Sequence, residues 1–231
     1  MSLTILFRGQ NLTLDPSGAV FVERLRTLVV ADMHLEKGSA RAHRGALLPP
    51  YDTRQTLQQL GLALETYKPA CVVCLGDTFH DAGAGGRVDS ADADLMRVMT
   101  EGRTWLWVVG NHDPDPPQSF GGRVVHELEV GGLMLRHEAY RGPVTGEISG
   151  HYHPKATVRT RARTLSRRCF VCDGWRMILP AFGAYTGGLN VLDRAMTPLW
   201  RRPPDVYVIG SERIYPVPHA TLRPPPSTVD A

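Results

Sequence analysis

With 231 residues, of which 42% are hydrophobic and 21% charged, the chain has the length and composition of one globular domain rather than of a disordered protein. Its net charge of +3 permits a nucleic-acid partner but does not require one. The N-terminus lacks the pattern of a signal peptide and no apolar run is long enough to cross a membrane, so we expect a cytoplasmic protein with reduced cysteines.

Strands and helices alternate in the first half of the chain. Two short strands flank a turn at residues 15–18, and the buried strand RTLVVAD follows them. Asp52 and Gln55 form a capping box that predicts the start of a helix. The runs ACVVCLG and TWLWVVG predict two further strands, and between them lies a helix that Asp89 or Ser90 would cap. This alternation is typical of an α/β sheet with crossover helices.

Short strands separated by turns dominate the second half of the chain. The segments LMLRH, GEISG, KATVRTRART, CFVCD, RMILP, GLNVLD and VYVIG each predict a strand. No linker divides the sequence, so we expect one domain over residues 1–215. The remaining residues, 216–231, are rich in proline and predict a loosely ordered tail.

The four cysteines form two CxxC pairs, Cys71 with Cys74 and Cys169 with Cys172, which is a spacing that zinc sites use. Both pairs lie in predicted strands, where residues three apart point to opposite faces. One ion could not be chelated by such a pair, so we interpret the cysteines as buried core residues.

Five polar motifs follow in order, most of them directly after a predicted strand. Ligand sites in open α/β sheets lie beyond the C-terminal ends of the strands, so these motifs can meet in one cleft. Asp, Asn and His side chains together suit divalent transition metals such as Mn, Fe, Zn or Co better than Ca. The motifs are Asp32-Met33-His34, Gly76-Asp77, Gly110-Asn111-His112-Asp113, His137 and Gly150-His151-Tyr152-His153.

The spacing within the motifs indicates how the ligands would be presented. Asp32 and His34 are two residues apart, as are His151 and His153, so each pair would project to one side of an extended segment. Asp77 is the candidate for a carboxylate that bridges two ions. Sharp turns directly before ligands would be permitted by three glycines, Gly76, Gly110 and Gly150.

In this order the motifs resemble those of the calcineurin-like metallophosphoesterase superfamily, over about residues 27–155. The resemblance implies a four-layer αββα sandwich of two mixed sheets flanked by helices. It also implies that His112 is the catalytic histidine beside the leaving group and that Asp113 orients it. The implied metal ligands are Asp32, His34, Asp77 and His153 for the first ion, and Asp77, Asn111, His137 and His151 for the second.

The predicted reaction is hydrolysis of phosphate esters. Two metal ions can hold a hydroxide between them, clamp the phosphate and stabilise an in-line transition state. Gly76-Asp77 is followed by Thr-Phe-His rather than by the Asp-Arg-Gly of protein phosphatases, which disfavours that branch. One departure from the superfamily pattern is Glu138, since many members have glycine after the histidine equivalent to His137, and it should alter the pocket there.

Several longer segments are similar to bacterial ligase-associated DNA damage response endonucleases, over about residues 27–192. They include VVADMHLEKGSARAHRGALLPPYDT, LGDTFHD, SGHYHPKA and MILPAFGAYTGGLNV, the last of which lies outside the shared metal motifs. The resemblance implies a manganese-dependent nuclease that acts in DNA repair beside a DNA ligase, a helicase and an exonuclease.

A basic segment supports DNA as the substrate on the residues alone. From Lys155 to Arg168 there are basic residues and no acid. Arg159, Arg161 and Arg163 alternate with neutral residues, so one strand face would present a row of guanidinium groups to a phosphate backbone. A solvated strand face is the alternative interpretation.

Two other functions stay open at this stage. A small-molecule phosphodiesterase or phosphatase could use the same dinuclear site, and it would cleave a chromogenic diester but not DNA. A DNA-binding subunit with vestigial catalysis would lack a ligand or the catalytic histidine, whereas this sequence retains them all. His80, His43 and Arg44 are lesser candidates for contacts around the site.

Overall fold

Two β-sheets packed face to face form the core of the protein. The computed structural model describes residues 1–42, 45, 51–114, 118–159 and 163–224. Its α-helices are α1 (Lys37–Ala42), α2 (Asp52–Tyr67) and α3 (Ser90–Thr100). Across this described part of the chain, every helix is too short or too polar to traverse a lipid bilayer.

The first sheet consists of β1 (Leu3–Phe7), β2 (Gln10–Leu14), β3 (Val20–Val22), β4 (Thr27–Val30), β5 (Cys71–Leu75), β6 (Thr104–Val108) and β7 (Arg123–Val125), in that spatial order. Neighbouring strands are antiparallel from β1 to β4 and parallel from β4 to β7. Because α2 lies between β4 and β5 and α3 between β5 and β6, the predicted crossover helices are confirmed. The strands β4, β5 and β6 end at the same edge of the sheet.

The second sheet is built from the later strands, β8 (Glu127–Val130), β9 (Leu133–Arg136), β10 (Glu147–Ser149), β11 (Lys155–Arg159), β12 (Thr164–Cys172), β13 (Arg176–Ile178), β14 (Asp205–Ile209), β15 (Ile214–Val217) and β16 (Leu222–Arg223). Its order is β15-β14-β12-β13-β10-β9-β8, and β11 pairs with β12 and β16 at the side. The central strands β9, β10 and β13 are parallel, while the others pair antiparallel. Both sheets are therefore mixed, as the resemblance implied.

Apolar side chains from both sheets fill the space between them. Val29 and Leu75 of the first sheet belong to the same buried cluster as Leu135 and Ile148 of the second. A second cluster joins α2 and α3 to the outer face of the first sheet. Within the described residues, the outer face of the second sheet is covered by a segment that contains a 3-10 turn, Thr197–Leu199, rather than by an α-helix.

Helix caps follow the sequence prediction at α3 but not at α2. Asp89 caps α3 by accepting a hydrogen bond from the backbone N–H of Ala91. The prediction of a capping box at Asp52 is wrong, because Tyr51 occupies the N-cap position and its side chain makes no capping hydrogen bond. The buried Asp52 carboxylate instead accepts a hydrogen bond from the backbone N–H of Gly38 at 3.0 Å, so it ties α1 to α2.

The cysteine pairs lie on β5 and β12, as predicted, and all four thiols are free. Cys172 packs between the two sheets, whereas Cys169 packs on the outer face of the second sheet. This placement confirms that residues three apart on one strand point to opposite faces. Burial raises the pKa of the Cys172 thiol to about 11, so this thiol is protonated at neutral pH.

The C-terminal region is ordered further than the prediction of a tail from Pro216. Tyr207 of β14 pairs with Pro216, and Val158 of β11 pairs with Leu222. Regular pairing therefore continues to Arg223, where the apolar Leu222 is buried. Residues 225–231 lie outside the described residues, and the loosely ordered tail stays a prediction for them.

Candidate metal centre

The predicted ligands follow the C-terminal ends of strands from both sheets. Asp32 and His34 come after β4, and Asp77 comes after β5. His137 comes directly after β9, and His151 follows β10. Since these strands end at one edge of the sandwich, residues far apart in sequence meet there. His43 and Arg44, the lesser candidates, lie outside the described residues.

The first group of possible metal ligands contains Asp32, His34 and His153, whose ligand atoms all lie within 4.8 Å of one another. His34 Nε2 and His153 Nε2 are 3.2 Å apart. Asp32 Oδ1 lies 3.4 Å from His153 Nε2 and, although it is buried, finds no hydrogen-bond partner among the described residues. This is the set that the resemblance implied for the first ion, apart from Asp77.

The second group contains Asp77, His137 and His151. Asn111 joins it, because its Oδ1 lies 2.9 Å from both His137 Nε2 and His151 Nδ1. The two imidazole nitrogens are themselves 3.2 Å apart. The four residues match the set that the resemblance implied for the second ion.

Asp77 lies between the two groups with one oxygen facing each. Its Oδ1 is 3.5 Å from His137 Nε2 in the second group, and its Oδ2 is 3.8 Å from His34 Nε2 in the first. The side chain is almost fully buried, and Oδ1 also accepts a hydrogen bond from the backbone N–H of His112. A carboxylate in this position is suited to bridge two ions.

The chemistry of this donor set fits divalent metal ions. Each group brings two imidazole nitrogens to about hydrogen-bond distance, an approach that a shared cation would stabilise. Burial and the neighbouring His153 lower the pKa of His34 to about 2, so its imidazole is neutral and can coordinate. The unpartnered Asp32 oxygen offers a negative ligand on the same side.

The backbone at the ligands is left-handed rather than extended. Asp32, His34, Asp77, His151 and His153 all have φ between +44° and +70°. Such a conformation costs about 1–3 kcal/mol at a non-glycine residue and persists where the surroundings enforce it. The prediction of two extended segments is therefore wrong. His151 and His153 lie in different groups, while Asp32 and His34 share one.

The glycines before the ligands serve close approach more than turning. Gly76 alone of the three has a left-handed conformation, with φ of +70°. A Cβ at Gly110 would lie 2.1 Å from the backbone nitrogen of Asp77, and one at Gly150 would lie 2.5 Å from Asp32 Oδ2. A side chain at either position would displace a carboxylate of the centre.

His112 lies beside the two groups with its ring partly open to solvent. Its Nε2 is 4.0 Å from Asp77 Oδ2, and its Nδ1 is 3.0 Å from the carbonyl oxygen of His80. The rings of His80 and His112 stack at 5.6 Å. His80, which the sequence analysis treated as a lesser candidate, is thus a direct neighbour of His112. Its contact is made by a backbone carbonyl, which a pattern of side chains cannot indicate.

The Asp113 carboxylate contacts the loop after β5, whereas the His112 ring contacts the carbonyl oxygen of His80. Its Oδ2 accepts a hydrogen bond from the backbone N–H of Phe79 at 3.0 Å, which fixes the loop that follows β5. Burial, opposed by the hydrogen bond from Phe79, raises the pKa of Asp113 to about 7. The orientation of His112 by Asp113 stays a prediction, and the contact that the structure shows for His112 Nδ1 is the His80 carbonyl.

The segment after β13 braces both ligand loops. Phe182 N–H donates to the carbonyl of Ala31, and Gly183 N–H donates to that of Asp32. A Cβ at Gly183 would lie 2.0 Å from the carbonyl oxygen of Met33, and one at Gly188 would lie 2.1 Å from that of His153. Two glycines of the block MILPAFGAYTGGLNV, Gly183 and Gly188, are therefore required by close packing against the ligand loops.

The predicted row of arginines does not lie on one strand face. β11 ends at Arg159, whose partner in the antiparallel ladder is Thr164, so the chain reverses between them. Arg161 lies outside the described residues. Lys155 and Arg163 instead line a cavity of about 790 Å³ together with Arg167 and Arg168. No acidic side chain is among the described residues that line it.

Comparison with known proteins agrees with this geometry. A profile of the family described as calcineurin-like phosphoesterase matches residues 25–165. Nuclease MPE of Pseudomonas putida is similar in structure, with a TM-score of 0.76 and 28% identity over 94% of this chain and 100% of that chain. The Aquifex aeolicus protein of unknown function AQ665 is 17% identical, with a TM-score of 0.39 over 55% of this chain and 78% of that one. No curated protein sequence matches.

Proposed function

We propose that this chain, which belongs to the calcineurin-like phosphoesterase family, hydrolyses DNA phosphodiester bonds at a centre that holds two metal ions. The observation that carries the proposal is the pair of ligand groups joined by Asp77. The family match supports a hydrolase that acts on phosphoester bonds. The choice of DNA rests on further features of the chain and of its structural neighbour.

Seven side chains would hold the two ions. The first ion would be bound by Asp32, His34, Asp77 and His153, and the second by Asp77, Asn111, His137 and His151. When bound, two such ions offset the negative charge of a phosphate and make water more acidic near neutral pH. We propose manganese as the metal from the resemblance of the sequence to manganese-dependent nucleases, and the same donor atoms also suit Fe, Zn or Co.

His112 would protonate the departing oxygen of the substrate. In the imidazolium form its Nδ1–H donates to the His80 carbonyl, which lies 3.0 Å away. The Nε2–H then faces the space beside Asp77, where a leaving group could accept the proton. The His80 carbonyl fixes the orientation of the ring and keeps a hydrogen on Nδ1, because a carbonyl oxygen accepts only from an N–H group.

Two features support DNA over a small phosphoester. The similar Pseudomonas putida protein is a nuclease, and its similarity extends over 94% of this chain. A cavity is lined by four basic residues, Lys155, Arg163, Arg167 and Arg168, and the first of them lies two residues after His153 in the sequence. Arginine forks and a lysine around an acid-free cavity suit the phosphates of a polyanion. A role in cytoplasmic DNA repair beside a ligase, a helicase and an exonuclease is proposed from the resemblance alone.

The decisive experiment separates DNA from small substrates. Manganese-loaded protein is incubated with labelled DNA and, separately, with bis(p-nitrophenyl) phosphate, over a salt series. Lys155→Gln combined with Arg167→Gln should weaken DNA cleavage and flatten its salt dependence by roughly one unit of slope per lost phosphate contact. Hydrolysis of the small diester should survive, because this substrate has no flanking phosphates for the basic residues to bind.

The matched control is Arg24→Gln, which removes an exposed charge before β4, at the opposite end of the strand from the ligands. It should leave both activities unchanged. Cleavage of the chromogenic diester without any cleavage of DNA by the parent protein would identify a small-molecule phosphodiesterase instead. Equal loss on both substrates in the double variant would assign the basic residues a structural role.

A further inference from the structure

A second cavity, of about 440 Å³, opens directly on the second ligand group. His151 forms part of its wall, and so does Tyr152, the residue between the two ligand histidines. Glu138, Arg141 and Arg194 bring the charged groups of the lining, and the rest is largely apolar. Cavities of roughly 300–1,000 Å³ are typical of small-molecule sites.

We propose that this cavity is a nucleotide subsite, which holds the nucleotide next to the scissile phosphate and prefers guanine through Glu138. The inference rests on the proposed function, because it requires a nucleic acid at the neighbouring centre. It adds a specificity-determining residue and a place for one particular nucleotide. Neither the family match nor the nuclease similarity assigns a role to these residues.

The two arginines are suited to bind a phosphate. Both guanidinium groups belong to exposed residues, and among the described residues neither forms an ion pair. Arg141 comes from the loop after β9, whereas Arg194 comes from the segment that covers the outer face of the second sheet. Two guanidinium groups that line one cavity from different segments of the chain can together bind one phosphate group through charge-assisted hydrogen bonds.

Glu138 gives the subsite its preference among bases. An ionised carboxylate only accepts hydrogen bonds, so it favours a base edge that carries donors. Guanine presents two adjacent N–H donors, on N1 and on the exocyclic amine, and both can reach one carboxylate. Adenine and cytosine present an amine beside an acceptor nitrogen, and thymine presents one N–H between two carbonyl oxygens. The expected order of affinity is therefore guanine, then adenine and cytosine, then thymine.

The position of Glu138 supports this assignment. It follows the ligand His137 directly in sequence, and its Oε1 accepts a long hydrogen bond, of 3.5 Å, from the Tyr152 hydroxyl. One carboxylate oxygen is thus turned toward the cavity wall that Tyr152 shares with His151. The residue itself is exposed, so its replacement should leave the fold intact. A glycine at this position, as in many superfamily members, would offer no acceptor.

The test measures binding rather than turnover. Full-length protein in EDTA is titrated calorimetrically with dGMP, dAMP, dCMP and dTMP as separate probes. We expect dGMP to bind about tenfold more tightly than dTMP, within the range that one bidentate base contact provides. Glu138→Gln should bring the four affinities together, because an amide offers a donor as well as an acceptor.

The arginines are tested in the same titration. Arg141→Gln combined with Arg194→Gln should weaken the binding of all four nucleotides about tenfold. The order of affinities should be kept, because a contact to the phosphate does not depend on which base is attached. Arg24→Gln is the control and should bind like the parent. Melting temperatures of all variants verify that they fold.

Outcomes for this inference and for the proposed function are separable. If manganese-loaded parent protein cuts DNA, but Glu138→Gln ranks the nucleotides as the parent does, the subsite is refuted and the nuclease remains. If the parent binds dGMP selectively through Glu138 but cuts no DNA, the subsite is supported and the nuclease proposal fails. A parent that binds all four nucleotides equally also overturns the inference.

Discussion

Removal of the metal ions should lower the stability of the protein by an amount that depends on how many sites remain. Ions that bind the folded chain but not the unfolded chain stabilise the folded state by mass action. Asp77 belongs to the second ligand group and turns its other carboxylate oxygen toward His34 of the first, so it alone would serve both proposed sites. The effect of one substitution should therefore reveal whether its residue serves one site or both.

The expected magnitude follows from this count. An ion present at 100 times its dissociation constant contributes about 2.7 kcal/mol, so two sites contribute about 5 kcal/mol together. For a domain of this size, 1 kcal/mol corresponds to roughly 2–4 °C in melting temperature, which predicts a shift of about 10–20 °C on adding manganese. His34→Ala should retain about half of this shift, whereas Asp77→Ala should retain almost none.

Differential scanning calorimetry of each variant, with EDTA and then with excess manganese, measures these shifts. Asp173→Asn is the matched control, because Asp173 is also fully buried but accepts its hydrogen bonds from the backbone of Trp175, Arg176 and Arg201. This variant should melt at a lower temperature and keep the whole metal-dependent shift. A full shift in Asp77→Ala, or equal shifts in the His34 and Asp77 variants, would refute the shared carboxylate.

Three further predictions concern the surroundings of the centre. His112→Ala should keep its metal by elemental analysis and lose about 10²–10⁴-fold in turnover, as for a general acid; an emptied site would contradict this. Gly110→Ala should lose metal, because its Cβ would lie 2.1 Å from the Asp77 nitrogen, whereas Gly86→Ala has open space and should not. Burial raises the pKa of Asp113 to about 7, so its protonated form stabilises the fold at low pH and this contribution is lost as pH rises through 7. In EDTA, Asp113→Asn should therefore gain on the parent in melting temperature from pH 5 to 8, and a constant difference would exclude this.

The sequence was sufficient to locate the ligands because they follow buried apolar strands. The runs that end before Asp32, Asp77 and Asn111 are continuous and hydrophobic, which marks parallel strands covered on both faces. Once three such strands are adjacent and parallel, their ends must lie at one edge. The meeting of these residues with His137 and His151 then required a second sheet, which only the resemblance supplied.

Other features depended on contacts that no local pattern encodes. Asp32 and His153 have a left-handed backbone, and each is closely approached by a glycine that is distant in sequence, Gly150 at the Asp32 carboxylate and Gly188 at the His153 carbonyl. The capping box at Asp52 failed because the buried carboxylate has a tertiary partner in Gly38, and tertiary contacts override a local motif. The prediction that the arginines share one strand face was wrong because the chain reverses after Arg159, and the sequence between Arg159 and Thr164 contains no glycine or proline that would indicate a turn.

The origin of the ligands in both sheets has a consequence for the order in which the molecule forms. Asp32 and His151 are 119 residues apart, so neither group exists until the first half of the chain has met the second. Closing such long loops early is slow, and metal ions cannot guide a chain whose ligands are still apart. The ions should therefore leave the folding rate nearly unchanged and act on the opposite step. The ions must be released before the two sheets can separate, so bound metal should slow unfolding of the native protein rather than speed its folding.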